Sequence, residues 1–467
     1  MTRRIIMLVA AVVLSLTPVA RGQVTKMMSD TAVQTAALAR FLCTMQDELG
    51  TRTLEGLAVC ITTEPPVFIT LSLDSRIPPG SLDKFLLVPA NAPDKRVKAE
   101  LLGIDPETNI GFLKAVEPYT WSIVQFAPKA NLAVGQPVSS LGLLGRDSDY
   151  QPYVGLAYIS AILHVPEEVG YVSGGRLTAP GSPVFNSDGR AIGLVSPQRF
   201  MNYQTVVGGR VTGFALRGQE ETSFFLPVDE FAHVLVNIPS SPGQVRRLPW
   251  IGVLSFRGVE PEVGEIMKLE SPGVTLDGVV PGGPAAKAGL EDRDVVTAVN
   301  GEKLPFMADP DLVATALQRR LFRMSAGQKV MLSIRRADAA KDIEVTLEPM
   351  PPLPHEVPRY LSREYGFLAR EKVELDKSLD RSPAAAVPGL IVLAVDEMAA
   401  KAGLGENDVI TNANNVPVTT VAALKEASEA TAKVGKPLEV VIRRGSETRS
   451  VTLTAHAAAV SAPSTGQ

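Results

Sequence analysis

The chain has 467 residues, 45% of them hydrophobic and 21% charged, proportions that suit packed cores and exclude disorder along the whole length. At roughly 100–200 residues per domain, this length holds about three domains. The 46 basic and 50 acidic residues leave a formal charge of -4, which gives nucleic acid no basic field to bind. Two cysteines exclude a cysteine-rich scaffold and a four-cysteine zinc centre. His164, His233, His355 and His456 stand at no metal-ligand spacing, so neither a metal nor a cofactor is expected.

Arg3 and Arg4 precede an apolar run over 5–14, and Pro18 follows it. Ala20-Arg21-Gly22 then puts small residues at the two cleavage-determining positions before Gln23. A charged start, a short apolar stretch and a small-x-small site spell a secretory signal over residues 1–22. The run falls short of the ~20 residues that span a bilayer. The mature chain is therefore expected to be exported, to a periplasm or beyond, with no membrane span. In an oxidising compartment Cys43 and Cys60 can pair; two separate buried thiols fit equally, and the sequence leaves both open. Cys43 falls in an expected helix over 31–49, and Cys60 in a strand-like run over 57–62.

Further short runs follow at 67–73, 97–102, 110–113, 138–143 and 158–163, the first separated from its predecessor by the turn signal Glu64-Pro65-Pro66. Many short strands between turns predict a barrel or sandwich over residues 23–240. Ser240-Ser241-Pro242-Gly243 marks its boundary.

Beyond it the chain repeats itself. Ala285-Ala286-Lys287-Ala288-Gly289-Leu290 recurs unchanged as Ala399-Ala400-Lys401-Ala402-Gly403-Leu404. Asp294-Val295-Val296-Thr297 matches Asp408-Val409-Ile410-Thr411, and Asn300 matches Asn414. This is a duplicated module of about ninety residues. Each copy reads as a short helix capped by glycine, a strand, a long helix (311–322, then 421–433) and a last strand (329–335, then 438–443). The expected modules span 248–349 and 360–455, joined by a stiff proline-rich linker over 350–359 and followed by a disordered tail over 456–467.

The repeated pattern resembles the PDZ domains of the HtrA/Deg serine proteases. In that family a loop of apolar, glycine and apolar residues receives a peptide's C-terminal carboxylate. Trp250-Ile251-Gly252-Val253 and Tyr365-Gly366-Phe367-Leu368 occupy the place of this loop. Glycine lets backbone N–H groups converge on an anion, and the strand edge that follows can pair with an extended peptide. The first domain resembles the family's trypsin-like domain in three stretches: Gly103-Ile104-Asp105-Pro106-Glu107-Thr108-Asn109-Ile110, Gly181-Ser182-Pro183-Val184-Phe185-Asn186 and Phe225-Leu226-Pro227-Val228. The implied fold is mainly β: a degenerate trypsin-like double β-barrel followed by two PDZ-like mixed α/β modules.

The chain departs from this pattern at the residues that carry chemistry. The catalytic acid's position holds Asn109, the nucleophile's Pro180, and the histidine's Leu73. Serine needs an adjacent base, which leucine cannot supply, and proline brings neither a hydroxyl nor an N–H for an oxyanion hole. Ser182 is the alternative nucleophile, two residues away and without a base in the spacing. The expectation is an exported pseudoprotease, not an enzyme, that binds C-terminal or extended peptides and unfolded envelope proteins as adaptor, chaperone or regulator. An active endopeptidase with a rearranged site is the alternative. A third reading is an envelope-organising protein, which an occluded groove beside Gly252 and Gly366 would support. The family resemblance also implies a homotrimer.

Overall fold

In a computed structural model, the described residues are 31–47, 50–196, 205–207, 210–212, 222–240, 246–379 and 387–455. The expected signal peptide, residues 241–243 of the expected boundary and the expected tail lie outside them. Among the described residues, no helix is long and apolar enough to cross a membrane.

Six strands close the first barrel: β1 (Leu38–Asp47), β2 (Gly50–Thr63), β3 (Pro66–Thr70), β4 (Leu82–Pro89), β5 (Val97–Ile104) and β6 (Gly111–Ala115), in the order β1-β2-β3-β6-β5-β4. The helix expected over 31–49 is corrected here: only Thr31–Thr35 is helical. Phe41, Cys43 and Met45 alternate inwards along β1, and that period of two belongs to a half-buried strand. Pairing along the whole length of β1 with β2 overrides local helix propensity. Cys43 and Cys60 are two separate buried thiols. Burial pushes Cys43 up to about 11 and Cys60 to about 12, so both stay protonated and inert.

The second half continues with β7 (Pro137–Leu143), β8 (Pro152–Tyr158), β9 (Ala161–His164), β10 (Glu168–Ser173), β11 (Pro183–Phe185), β12 (Ala191–Ser196), β13 (Thr205–Val207), β14 (Arg210–Thr212) and β15 (Thr222–Pro227). Seven of these form one antiparallel sheet in the order β8-β7-β11-β12-β15-β10-β9, and β13 pairs with β14 alone. The run expected over 158–163 is split between β8 and β9, because the chain changes partners there: Ile159 bonds to Gln136 and Gly135 beside β7, and Ser160 N donates to Tyr171 O of β10. One apolar core runs through both halves, with Trp121 edge-on to Phe68 at 4.7 Å.

The first module begins with β16 (Pro249–Trp250) and β17 (Val253–Gly258). Its sheet runs from β17 through Val274–Val279, Val295–Val299 and Lys329–Arg336 to Ala339–Thr346. The second module repeats this with Phe367–Glu371, Leu390–Val395, Val409–Ala413, Leu438–Arg444 and Glu447–Leu453. Each module therefore ends one strand later than the sequence suggested. Ala339–Thr346 and Glu447–Leu453 bury few residues, and their apolar signal is correspondingly weak. The long helices, Pro310–Phe322 and Val421–Lys433, fall where expected, capped by Asp309 and Thr420.

The proline-rich linker is fastened down. Pro249–Trp250 pairs with Glu348–Pro349, Met350 N donates to Leu248 O at 2.8 Å, and Arg247 grips Glu356 with both carboxylate oxygens within 2.9 Å.

Candidate functional site

Beyond β3 the chain turns through Leu71, Ser72 and Leu73. Leu73 is only 2% exposed and belongs to the barrel core. Asn109 closes the turn before β6 in a left-handed conformation (φ 57°), one that asparagine tolerates. Its Oδ1 accepts from Ser75 N at 3.1 Å, which ties the turn to the segment after Leu73. Leu73 and Asn109 thus line the same cavity. Pro180 is exposed on the neighbouring turn, where Gly181 (φ 85°) faces Leu71.

That turn offers little to a reacting carbonyl. Pro180 has no N–H, and the N–H of Thr178 donates to Ser140 Oγ at 2.8 Å. Ser182 is fully buried, and its Oγ has no hydrogen-bond partner. It points towards Gly142, where an added Cβ would lie 2.7 Å from that oxygen. His233, the histidine expected in the last helix, is spent on Glu107 at 3.1 Å. His164 lies beside Glu168 at 3.6 Å. Among the described residues, no base reaches Ser182 Oγ.

In the first module, Gly252 (φ 88°) lets the chain turn against the helix Pro284–Ala288, where a Cβ would meet Pro284 Cδ at 2.8 Å. Ile251 O accepts from Ala285 N at 2.6 Å, Gly252 O from Val280 N at 2.9 Å, and Trp250 Nε1 donates to Val253 O at 3.1 Å. The loop is therefore held rigid by neutral neighbours. β17, which leads away from it, is the terminal strand of its sheet.

The second loop is built differently. Tyr365 is buried, and its hydroxyl donates to Lys436 O at 2.8 Å. Gly366 (φ 70°) lies against Asp396, whose N–H donates to Gly366 O at 2.8 Å and whose carboxylate a Cβ on Gly366 would strike. Asp396 Oδ1 also accepts from Ala399 N at 2.9 Å, which caps the next helix. The strand Phe367–Glu371, which carries Leu368, is paired on both edges, by Arg359–Ser362 and by Leu390–Val395. Neither Asp396 nor the Arg359–Ser362 strand was picked out from the sequence. The alternation of Tyr360 and Ser362 was the available signal for the strand.

A cavity of about 710 Å³ joins the two functional regions. Leu71, Leu73 and Asn109 line it from the trypsin-like half, Trp250, Ile251, Phe256 and Leu321 from the first module, and Leu353 to Glu356 from the linker. Buried charge fixes the first module in this place. Arg319 of its long helix pairs with Glu167 and, at 2.9 Å, with Glu230. Arg323 reaches Glu230 at 2.5 Å and Glu107 at 3.4 Å, and Arg246 reaches Asp105 at 2.6 Å. Burial pushes the Glu107 carboxyl up, but the His233 hydrogen bond and the charges of His233, Arg323 and Arg319 outweigh it and hold the group below its ordinary value. Burial beside Arg323 lowers Arg319 to about 10, so it remains charged at neutral pH. These residues are far apart in sequence, and nothing in their spacing announces the cluster.

Two barrel-type halves around a cleft, followed by two duplicated modules with glycine loops, define a trypsin-like peptidase domain with two PDZ domains. Residues 71–194 match the trypsin-like peptidase family, and 275–336 and 370–454 match PDZ families. A probable periplasmic serine endoprotease of the DegP-like type from Pseudomonas fluorescens is 27% identical over 363 residues, 75% of this chain and 70% of the relative. One of the same description from Bartonella henselae is 28% identical over 382 residues, 76% and 67% of the two chains. A solved HtrA-type protease, AlgW with tripeptide, shares the fold with a TM-score of 0.51 and 19% identity, over 70% of this chain and 98% of that one. The chain belongs to the HtrA/DegP-type family.

Proposed function

We propose that the protein is an exported, non-catalytic member of this family that receives the C-terminus of a peptide in its first PDZ domain. In this role it acts as an adaptor, chaperone or regulator of unfolded envelope proteins. The observation that carries the loss of catalysis is the state of Ser182, which is buried without a hydrogen-bonding base, while Leu73 lines the cleft from the barrel core. The relatives are named endoproteases; Leu73, Asn109 and Pro180 are the reasons their activity is not carried over. Peptide binding is supported by the rigid loop at Gly252, the terminal strand β17 and the adjoining cavity, whose size lies within the roughly 300–1,000 Å³ of ligand pockets.

Two measurements on the purified chain test this. Reduced casein should survive a long incubation with both the wild type and Ser182→Ala; turnover that Ser182→Ala abolishes would overturn the non-catalytic reading. A fluorescein-labelled octapeptide ending in valine with a free carboxylate should bind, and its C-terminal amide should bind at least about tenfold more weakly, since charge-assisted contacts to the loop are lost. Gly252→Val should abolish binding, because its side chain would run into Pro284. Equal binding of acid and amide would sink the carboxylate assignment.

A further inference from the structure

The second PDZ domain holds a ligand of its own. We propose that the strand Arg359–Ser362 is an intramolecular occupant of that domain's peptide groove, closing it to peptides in trans.

A PDZ groove lies between the strand that follows the glycine loop and the long helix, and a bound peptide adds antiparallel to the strand's outer edge. Arg359–Ser362 occupies that edge. It pairs antiparallel with Phe367–Glu371 in the register Arg359↔Arg370, Tyr360↔Ala369, Leu361↔Leu368 and Ser362↔Phe367. Its other flank is packed by the long helix Val421–Lys433. Its side chains alternate as those of a bound peptide do. Tyr360 and Ser362 are buried, while Arg359 is exposed and Leu361 half-buried. Ser362 Oγ lies 2.9 Å from Ser428 Oγ on the helix, and Tyr360 packs edge-on to Phe367 with ring centroids 6.4 Å apart. The loop end is crowded as well, since the Asp396 carboxylate lies directly against Gly366. In the first domain the corresponding strand β17 ends its sheet, and Gly252 faces the uncharged Pro284.

The turn at Arg363 to Gly366 connects occupant to groove. A tether this short presents the strand at an effective concentration of about millimolar or above. A free peptide at micromolar concentration therefore does not displace it.

Two experiments on the full chain test the occupant independently of the first domain, whose own binding is removed by Gly252→Val in every arm. In the first, Ser362→Cys with Ser428→Cys is oxidised mildly. A disulfide should form and leave only Cys43 and Cys60 as free thiols; four remaining thiols would place the strand outside the groove and overturn the proposal. In the second, the probe is a fluorescein-labelled, amidated peptide with the sequence of residues 357–364. The chain with its native strand should not take it up, whereas a chain with Arg359–Ser362 replaced by Gly-Ser-Gly-Ser should bind it at least about tenfold more tightly. Equal binding by both chains would overturn the proposal. If the replaced chain fails to fold, the disulfide experiment decides the matter alone.

Discussion

The Ser182 hydroxyl is the group on which the non-catalytic and the enzymatic readings divide, and its energetics can be tested without substrate. A buried hydroxyl that makes no hydrogen bond has given up its water without return, at a cost of about 1–3 kcal/mol. Ser182 is 0% exposed with an unpartnered Oγ. Ser182→Ala should therefore leave the thermal midpoint unchanged or raise it, by up to about 1 kcal/mol of stability. A serine poised beside a base behaves in the opposite way, because removing it strands the base's hydrogen bond. Differential scanning calorimetry distinguishes the two, and a loss of more than about 1 kcal/mol would mean that the hydroxyl has a partner.

At the level of elements, the repeat in the sequence is also a repeat in the forces. Asp294 and Asp408 head the matching strands and are 1% and 0% exposed. Each is gripped by an arginine at the end of the module's next-to-last strand. Arg336 binds Asp294 through two contacts of 2.7 Å and also donates to Gly289 O. Arg444 binds Asp408 at 2.6 and 2.7 Å and donates to Gly403 O. The pair thus ties the short helix's glycine cap to the sheet in both copies. Arg336→Leu should cost about 3 kcal/mol, because it leaves a buried carboxylate unpaired, and adding Asp294→Leu should restore most of the loss. Urea unfolding of the single and double variants measures this; equal losses would mean that packing matters and charge does not. The duplicated aspartates, the glycine caps and the long helices were legible in the sequence, because each rests on local spacing. The strand at Cys43 was not, because its partner β2 decides it. Nor was the Arg359–Ser362 strand, whose meaning depends on Ser428 on a helix that lies far along the chain.

Across the whole molecule, the position of the first PDZ domain depends on carboxylates and arginines that no local pattern joins. Glu107, Glu167 and Glu230 come from the trypsin-like domain and Arg319 and Arg323 from one helix face, with His233 completing the group. Removing one partner from such a buried set strands the others, so Glu107→Gln should loosen the docking at neutral pH. The acid response follows from the sign of the shift. The Glu107 carboxyl lies below its ordinary 4.5 when the domains are docked, so its stabilisation is complete above that ordinary value and is lost as pH falls through the lowered one. The radius of gyration from small-angle scattering should stay constant from about pH 8 to about pH 5 and rise only in stronger acid. In Glu107→Gln it should be larger already at pH 7, and more so in high salt, where the remaining pairs that reach solvent are screened. An expansion of the wild type between pH 7 and pH 5 would assign the docking to a different titrating group, because a carboxylate with a lowered pKa does not change charge there.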